Sequence, residues 1–260
     1  MSRLRLVAAF ALVAGLVACG DTAGEQSGGP VLTTSSPSPT TTTTTATPER
    51  LKRMFEPPYT YGKVQAHAPA TVDGMVPVVT HIATDKPYVF ITIDDGAVQH
   101  PKARELMINA GVWPSVFLNT KYAEGHKAYF GELPVTVQSH TTDHPNLQGK
   151  PYEFQRKEIC DNAAFLAGDY GKRPTLFRPP FGNYDTNTRK AAASCGFKAM
   201  VNWTAAVNDG HVQFQVGNKL KPGDIVLMHF RTTFVEDFTA FLNRAKQDGL
   251  TPVPLEDFLG

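Results

Sequence analysis

The chain has 260 residues, 42% hydrophobic and 19% charged, with 25 basic and 24 acidic side chains. That is a globular composition, and a formal net charge of +1 gives no footprint for nucleic acid or any strongly charged partner. The length suits one large domain or two small ones, so the distribution of apolar residues decides the organisation.

In chain order, Arg3 and Arg5 precede an apolar run from Leu6 to Ala18 that is too short to span a bilayer as a stable helix. A basic start, a short apolar core and small residues before a break read as a signal peptide over residues 1–18. The break, Leu16-Val17-Ala18-Cys19, resembles the bacterial lipobox. That resemblance implies acylation of Cys19 and a lipid anchor on the outer face of a bacterial cell membrane; an ordinary signal peptide with a chance cysteine is the alternative. Cleavage there removes Arg3 and Arg5 and leaves 23 basic against 24 acidic side chains. Residues 19–50 are rich in Gly, Ser, Thr and Pro and include the run Thr40 to Thr45. Such a stretch buries too little apolar surface to offset its ordering entropy, and reads as a flexible linker. Residues 51–260 form the single globular domain, without internal repeats, expected as a monomer.

That domain alternates strand and helix signals. Strands are expected at Val89–Ile93, Ser115–Leu118, Val135–Gln138, Thr175–Phe177, Lys198–Trp203, Ile225–Met228 and Thr251–Pro254. Helices are expected from Pro101 to Gly111, Pro151 to Gly171, Asp185 (as N-cap) to Gly196, and about Phe234 to Gly249. The stretch 122–130 is ambiguous, and 204–224 reads as loop. Seven strands alternating with helices imply an α/β fold with a parallel sheet. Asp94, Asp95, His140, Arg178 and His229 all fall at strand ends, which favours an incomplete (β/α)7 barrel over an open sheet, because a barrel gathers those ends around one mouth.

Four segments carry chemistry. Thr92-Ile93-Asp94-Asp95-Gly96 ends a strand in two carboxylates able to do different jobs. His140-Thr141-Thr142-Asp143-His144-Pro145 offers two histidines at i, i+4, which on a helical turn share one face and can chelate one ion. With Asp95 as carboxylate, two His and one Asp leave positions open for water, the catalytic arrangement of zinc. Arg178-Pro179-Pro180-Phe181-Gly182 stiffens the backbone behind an arginine, and Ile225 to His229 ends an apolar strand in a histidine. Each has a plainer reading: an Asp-Gly turn, a surface histidine pair, a turn with a surface arginine, a structural histidine. Cys160 and Cys195, an even pair in an exported protein, read as a disulfide or as two buried thiols.

Together and in this order, the segments resemble the polysaccharide deacetylases with a NodB-like homology domain, carbohydrate esterase family 4, over roughly residues 85–258. The resemblance implies a metal-dependent hydrolase removing N- or O-acetyl groups from a polysaccharide. Asp95, His140 and His144 would hold a divalent ion, usually zinc. Asp94 would be the general base, Arg178 its orienting partner, His229 the acid, and the Phe181 backbone N–H an oxyanion donor. In the family's remaining motif, D-x-x-D-W, this chain has Ala206-Val207-Asn208-Asp209-Gly210; Asp209 would orient His229, while one acid and the tryptophan are lost. The implied substrate is an acetylated glycan: chitin oligosaccharide, peptidoglycan or xylan. A catalytically weak carbohydrate-binding lipoprotein and a metal-dependent amidase for a small non-sugar substrate are the alternatives. His67, His81, His100, His126 and His211 match no motif, and Phe117, Phe177 and Phe230 read as core.

Overall fold

A parallel sheet covered on both faces needs strands that are apolar almost throughout, and this chain supplies them. The computed structural model describes residues 54–55 and 58–260; the expected signal peptide, Cys19 and the linker lie outside the described residues. The strands are β1 (Val78–Val79), β2 (Tyr88–Asp95), β3 (Ser115–Leu118), β4 (Thr136–Ser139), β5 (Leu176–Phe177), β6 (Ala199–Val201), β7 (Ala205–Asn208), β8 (His211–Phe214), β9 (Ile225–His229) and β10 (Thr251–Pro252). The helices are α1 (Ala103–Ala110), α2 (Thr120–Ala123), α3 (Lys127–Glu132), α4 (Tyr152–Tyr170), α5 (Thr186–Ser194), α6 (Phe234–Gln247) and α7 (Glu256–Leu259).

The sheet order is β1-β6-β5-β4-β3-β2-β9-β7-β8, with β10 pairing separately on β2. Every ladder is parallel except β7–β8. The sheet curls into an incomplete barrel whose unpaired edges are β1 and β8, as the strand-end argument expects. Two expectations need correction. The segment 204–224 is not all loop, because it contains the β7–β8 hairpin, and β7 is a barrel stave alongside β9. Conversely, residues 251–254 supply only a two-residue strand beside the start of β2.

Alternation along β2 sorts its side chains onto two faces. Val89, Ile91 and Ile93 join the core under α1 and α6, with Met107, Phe238 and Phe241. Phe90 turns the other way, into a cluster with Phe117, Leu176, Val201 and Ile225. Helix α6 packs through Phe234, Phe238, Phe241, Leu242 and Ala245, all fully buried, each large side chain contributing about 1.5–3 kcal/mol. At the other end of the barrel, Phe258 of α7 sits edge-on to Phe90 at 5.0 Å, and Glu256 accepts from Ser115 and Gln138. Helix α5 starts as expected at Asp185, with a capping box to Thr188. A disulfide joins Cys160 of α4 to Cys195 just past α5, 35 residues apart, so of the two cysteine readings the bridge is the one observed.

Candidate active site

Ladder register brings the reactive residues together. Asp94 of β2 lies beside His229 of β9. On the other flank, Asp95 pairs with Leu118, Leu118 with Ser139, and Ser139 with Phe177. The next residues along, His140 and Arg178, therefore emerge at the same level as the two aspartates.

Asp94 and Asp95 diverge because Asp95 adopts a left-handed backbone, φ 74°. Asp94 continues the inward face of β2 and is buried, while the Asp95 side chain keeps 21% of its surface exposed. Arg178 is wholly buried against Asp94. Its Nη1 donates to Asp94 Oδ1 at 2.7 Å and to Thr92 Oγ1 at 2.8 Å, and its Nε donates to the Val201 carbonyl. The guanidinium lies 4.4 Å from the centre of the Phe117 ring. Burial pulls the Arg178 pKa below its usual range, opposed by the Asp94 charge. Asp94 Oδ1 is thus committed, while Oδ2 turns toward His140 Nε2, 3.7 Å away.

His140 and His144 do approach one another, but not through a helical turn. The segment between them is loop, with Thr141 at φ 70° and His144 at φ 61°. Two left-handed residues fold the backbone back, and the Nε2 atoms come within 3.1 Å. Glu158 of α4 holds this loop by accepting from the backbone of Thr142 and Asp143. Non-glycine residues at positive φ carry strain, and Asp95, Thr141, His144 and Phe181 concentrate it here.

His140 Nδ1 faces the Arg178 carbonyl at 2.7 Å. A carbonyl can only accept, so Nδ1 carries the proton and Nε2 is left with its lone pair. Burial pushes the His140 pKa down to about 3, partly countered by Asp95, which keeps the ring neutral and able to ligate. Burial also raises the Asp95 carboxyl, with His140 next in effect and opposing. Asp95 Oδ1 stands 3.6 Å from His140 Nε2 and 3.5 Å from His144 Nε2. Three donors with edges of 3.1, 3.5 and 3.6 Å fit an ion bound at about 2.0–2.2 Å, whose tetrahedral edges are about 3.3–3.6 Å. This is the metal-capable cluster among the described residues. His144 and Asp95 leave its outer side open to solvent, as a catalytic rather than a sealed structural site requires.

Two expected members behave differently. Phe181 is at φ 62° with its side chain exposed, its ring 4.8 Å from that of His144, so the side chain as well as the backbone borders the site. Asp209 does not reach His229. With Gly210 it forms the two-residue turn of the β7–β8 hairpin, both at positive φ, and it is solvent-exposed. The hairpin is pinned instead by the Gly210 N–H, which donates to buried Asp237 of α6 at 2.7 Å. His229 Nδ1 is consequently buried without a hydrogen-bond partner among the described residues, and burial pushes the ring's pKa down to about 4.

Supporting residues also emerge that no motif marked. Asn119, after β3, donates to Asp95 Oδ1 at 3.3 Å. Asn162 of α4 is fully buried; its Oδ1 accepts from Ser139 and the His140 N–H, and its Nδ2 donates to the Leu118 carbonyl. Trp203 packs against the guanidinium and backs Gly182, where a φ of 71° and a Cβ approach of 3.0 Å to that ring disfavour a larger residue. An amide in a helix or loop carries no sequence signal of such a role, so only the fold exposes them.

The family model for polysaccharide deacetylases matches residues 81–200, a span containing Asp94, Asp95, His140, His144 and Arg178 and ending before the hairpin and His229. A protein of Streptomyces coelicolor is 38% identical over 192 residues, covering 70% of this chain and 77% of that one. A peptidoglycan-N-acetylglucosamine deacetylase of Bacillus cereus is 28% identical over 157 residues, 56% of each chain. Among solved structures, a carbohydrate esterase family 4 pseudoenzyme from Bacillus anthracis superposes with a TM-score of 0.61 at 18% identity, covering 70% of this chain and 69% of that one. That last likeness concerns the fold alone.

Proposed function

The chain belongs to the polysaccharide deacetylase family, a family of hydrolases, and from that premise we propose that it removes acetyl groups from an extracellular or cell-wall glycan by metal-assisted hydrolysis. The observation that carries this reading is the Asp95–His140–His144 cluster with a free carboxylate oxygen of Asp94 facing it. A divalent ion there, zinc by its donor set, would polarise the acetyl carbonyl and make its water a good nucleophile at neutral pH.

The rest is done by the protein's own side chains. Asp94 Oδ2 takes the proton of the attacking water, while Arg178 fixes Oδ1 so that the base cannot rotate away. Such a positioned base contributes about 10²–10⁴-fold. The Phe181 N–H donates to the oxyanion, a contribution of about 2.7–4 kcal/mol. His229 protonates the departing amine or alcohol. With its pKa depressed and no carboxylate behind it, the imidazolium is a stronger acid but a scarcer one near neutral pH.

We read the protein as exported and anchored through Cys19, supported by the basic, apolar and small residues of 1–18 and by the linker that follows. An envelope glycan is then within reach. The test is acetate release from an N-acetylglucosamine oligomer and from acetylated xylan, before and after chelation and with zinc restored. Release that chelation stops and zinc restores supports the reading; release indifferent to chelation contradicts it. A second reading, glycan binding without turnover, is favoured by the separation of Asp209 from His229. Saturable binding by a zinc-loaded protein that frees no acetate would select it.

A further inference from the structure

The rebuilt hairpin does more than remove an acid and an aromatic ring from the mouth of the site. Asn208, its last residue before the turn, has its side chain fixed from both ends. Its Nδ2 donates to Gln213 Oε1 across the hairpin at 3.1 Å, which leaves Oδ1 to accept from Arg231 Nη1 at 2.9 Å. Arg231 lies two residues beyond His229, where β9 leaves the barrel at the level of the metal-capable cluster.

Ala206 of β7 pairs with Leu227 of β9, and Asn208 and His229 each follow two residues later, so the restrained guanidinium is tied to the hairpin at the level of His229. Yet Arg231 is in none of the ion pairs found among the described residues, and it is solvent-exposed. A surface arginine would ordinarily be left free, because ordering so flexible a side chain costs up to about 2 kcal/mol. Here an oriented amide restrains it while leaving the rest of its donor fork open. A planar fork with unused donors suits a carboxylate, which it can bind with two parallel hydrogen bonds.

Gly210, at the hairpin tip with φ 73°, presents no side chain there.

We propose that Arg231, held by Asn208, is a specificity-determining residue that binds a carboxylate on the glycan, so that the substrate is an acidic N-acetylated oligosaccharide rather than a neutral one. This rests on the deacetylase reading above. The carboxylate could come from the lactyl ether of a muramic acid or from a uronic acid, and both present the same group to the guanidinium.

The experiment uses the zinc-loaded full chain with two acidic tetrasaccharides, one alternating N-acetylglucosamine with N-acetylmuramic acid and one alternating it with glucuronic acid. Each is compared with its own methyl ester. At least one acid should be deacetylated with a kcat/KM tenfold or more above its ester, and which one identifies the source of the carboxylate. R231Q should bring acid and ester within twofold of each other, R231K should keep part of the preference, and N208A should reduce it. Equal rates on acid and ester in the wild type, or a preference that survives R231Q, overturn the proposal. If no acetate is released from any of the four, the deacetylase reading fails. Arg231 is then judged by calorimetric titration of the same sugars: tighter binding of the acid, lost in R231Q, upholds the carboxylate site, and equal binding refutes it.

Discussion

Replacing Arg178 by methionine isolates the buried ion pair on which the proposed base depends. The guanidinium is wholly enclosed and makes three hydrogen bonds, to Asp94, Thr92 and the Val201 carbonyl, at 2.7 to 3.0 Å. Methionine keeps much of the apolar stem but leaves the Asp94 carboxylate buried with no counter-charge. Removing one partner of a buried pair costs about 3–5 kcal/mol, mostly because of the charge left behind. With a urea m-value of about 2 kcal/mol/M, the unfolding midpoint should fall by about 1.5–2.5 M. The measurement is made in chelator, so that metal binding does not add its own stabilisation. Adding Asp94→Asn to Arg178→Met removes the stranded charge and should recover about 1–3 kcal/mol. A loss below about 1 kcal/mol in the single variant, or no recovery in the double, would refute the argument that Arg178 compensates a buried Asp94.

Other consequences follow from the same geometry. His140 and His229 have folded-state pKa values of about 3 and about 4, below the ordinary 6.5, so the unfolded chain binds more protons in between. Stability of the metal-free protein should therefore be complete above pH 6.5 and fall as the pH drops toward 4. The loss from pH 7 to 5 is at most about 2 kcal/mol per histidine, read as a shift in urea midpoint that His229→Gln should lessen; an equal midpoint at both pH values would contradict it. Asn119→Ala, which frees Asp95 Oδ1, should weaken zinc binding about 10–100-fold in a competition titration on the folded protein, and should also cost about 0.5–2 kcal/mol because Asn119 caps α2 by accepting from the Tyr122 N–H; an unaltered affinity removes Asn119 from the site. Replacing Cys160 and Cys195 by serine opens a 35-residue loop and should cost about 3–4 kcal/mol by thermal or urea unfolding, with acetate release per folded molecule preserved.

The parts legible in the sequence were those whose chemistry is contiguous. Asp94-Asp95 and Arg178 each sit in a short segment directly after an apolar strand, and parallel register does the rest by setting those strand ends at one level. The histidine pair was found for the right spacing with the wrong geometry. Left-handed Thr141 and His144 bring the rings together, and a non-glycine residue at positive φ leaves no compositional trace. Asp209 illustrates the opposite failure. Asp-Gly between Ala205–Asn208 and His211–Phe214 is a strong hairpin signal, since both turn residues can take positive φ. Half-exposed four-residue strands are weakly patterned, so the family motif outweighs the hairpin signal in the sequence and pairs Asp209 with a histidine from which the turn carries it away. Asn119, Asn162 and Arg231 were silent for another reason: their roles exist only once distant segments are packed.

The central claim is that Asp95, His140 and His144 hold the ion while Asp94 moves the proton. Asp94→Asn separates the two most directly, measured as zinc per protein by elemental analysis beside acetate released from an acetylated glycan. The account predicts one zinc per chain in both proteins and acetate release lowered at least about 100-fold in the variant. Undiminished release from Asp94→Asn, with zinc still bound, would contradict it.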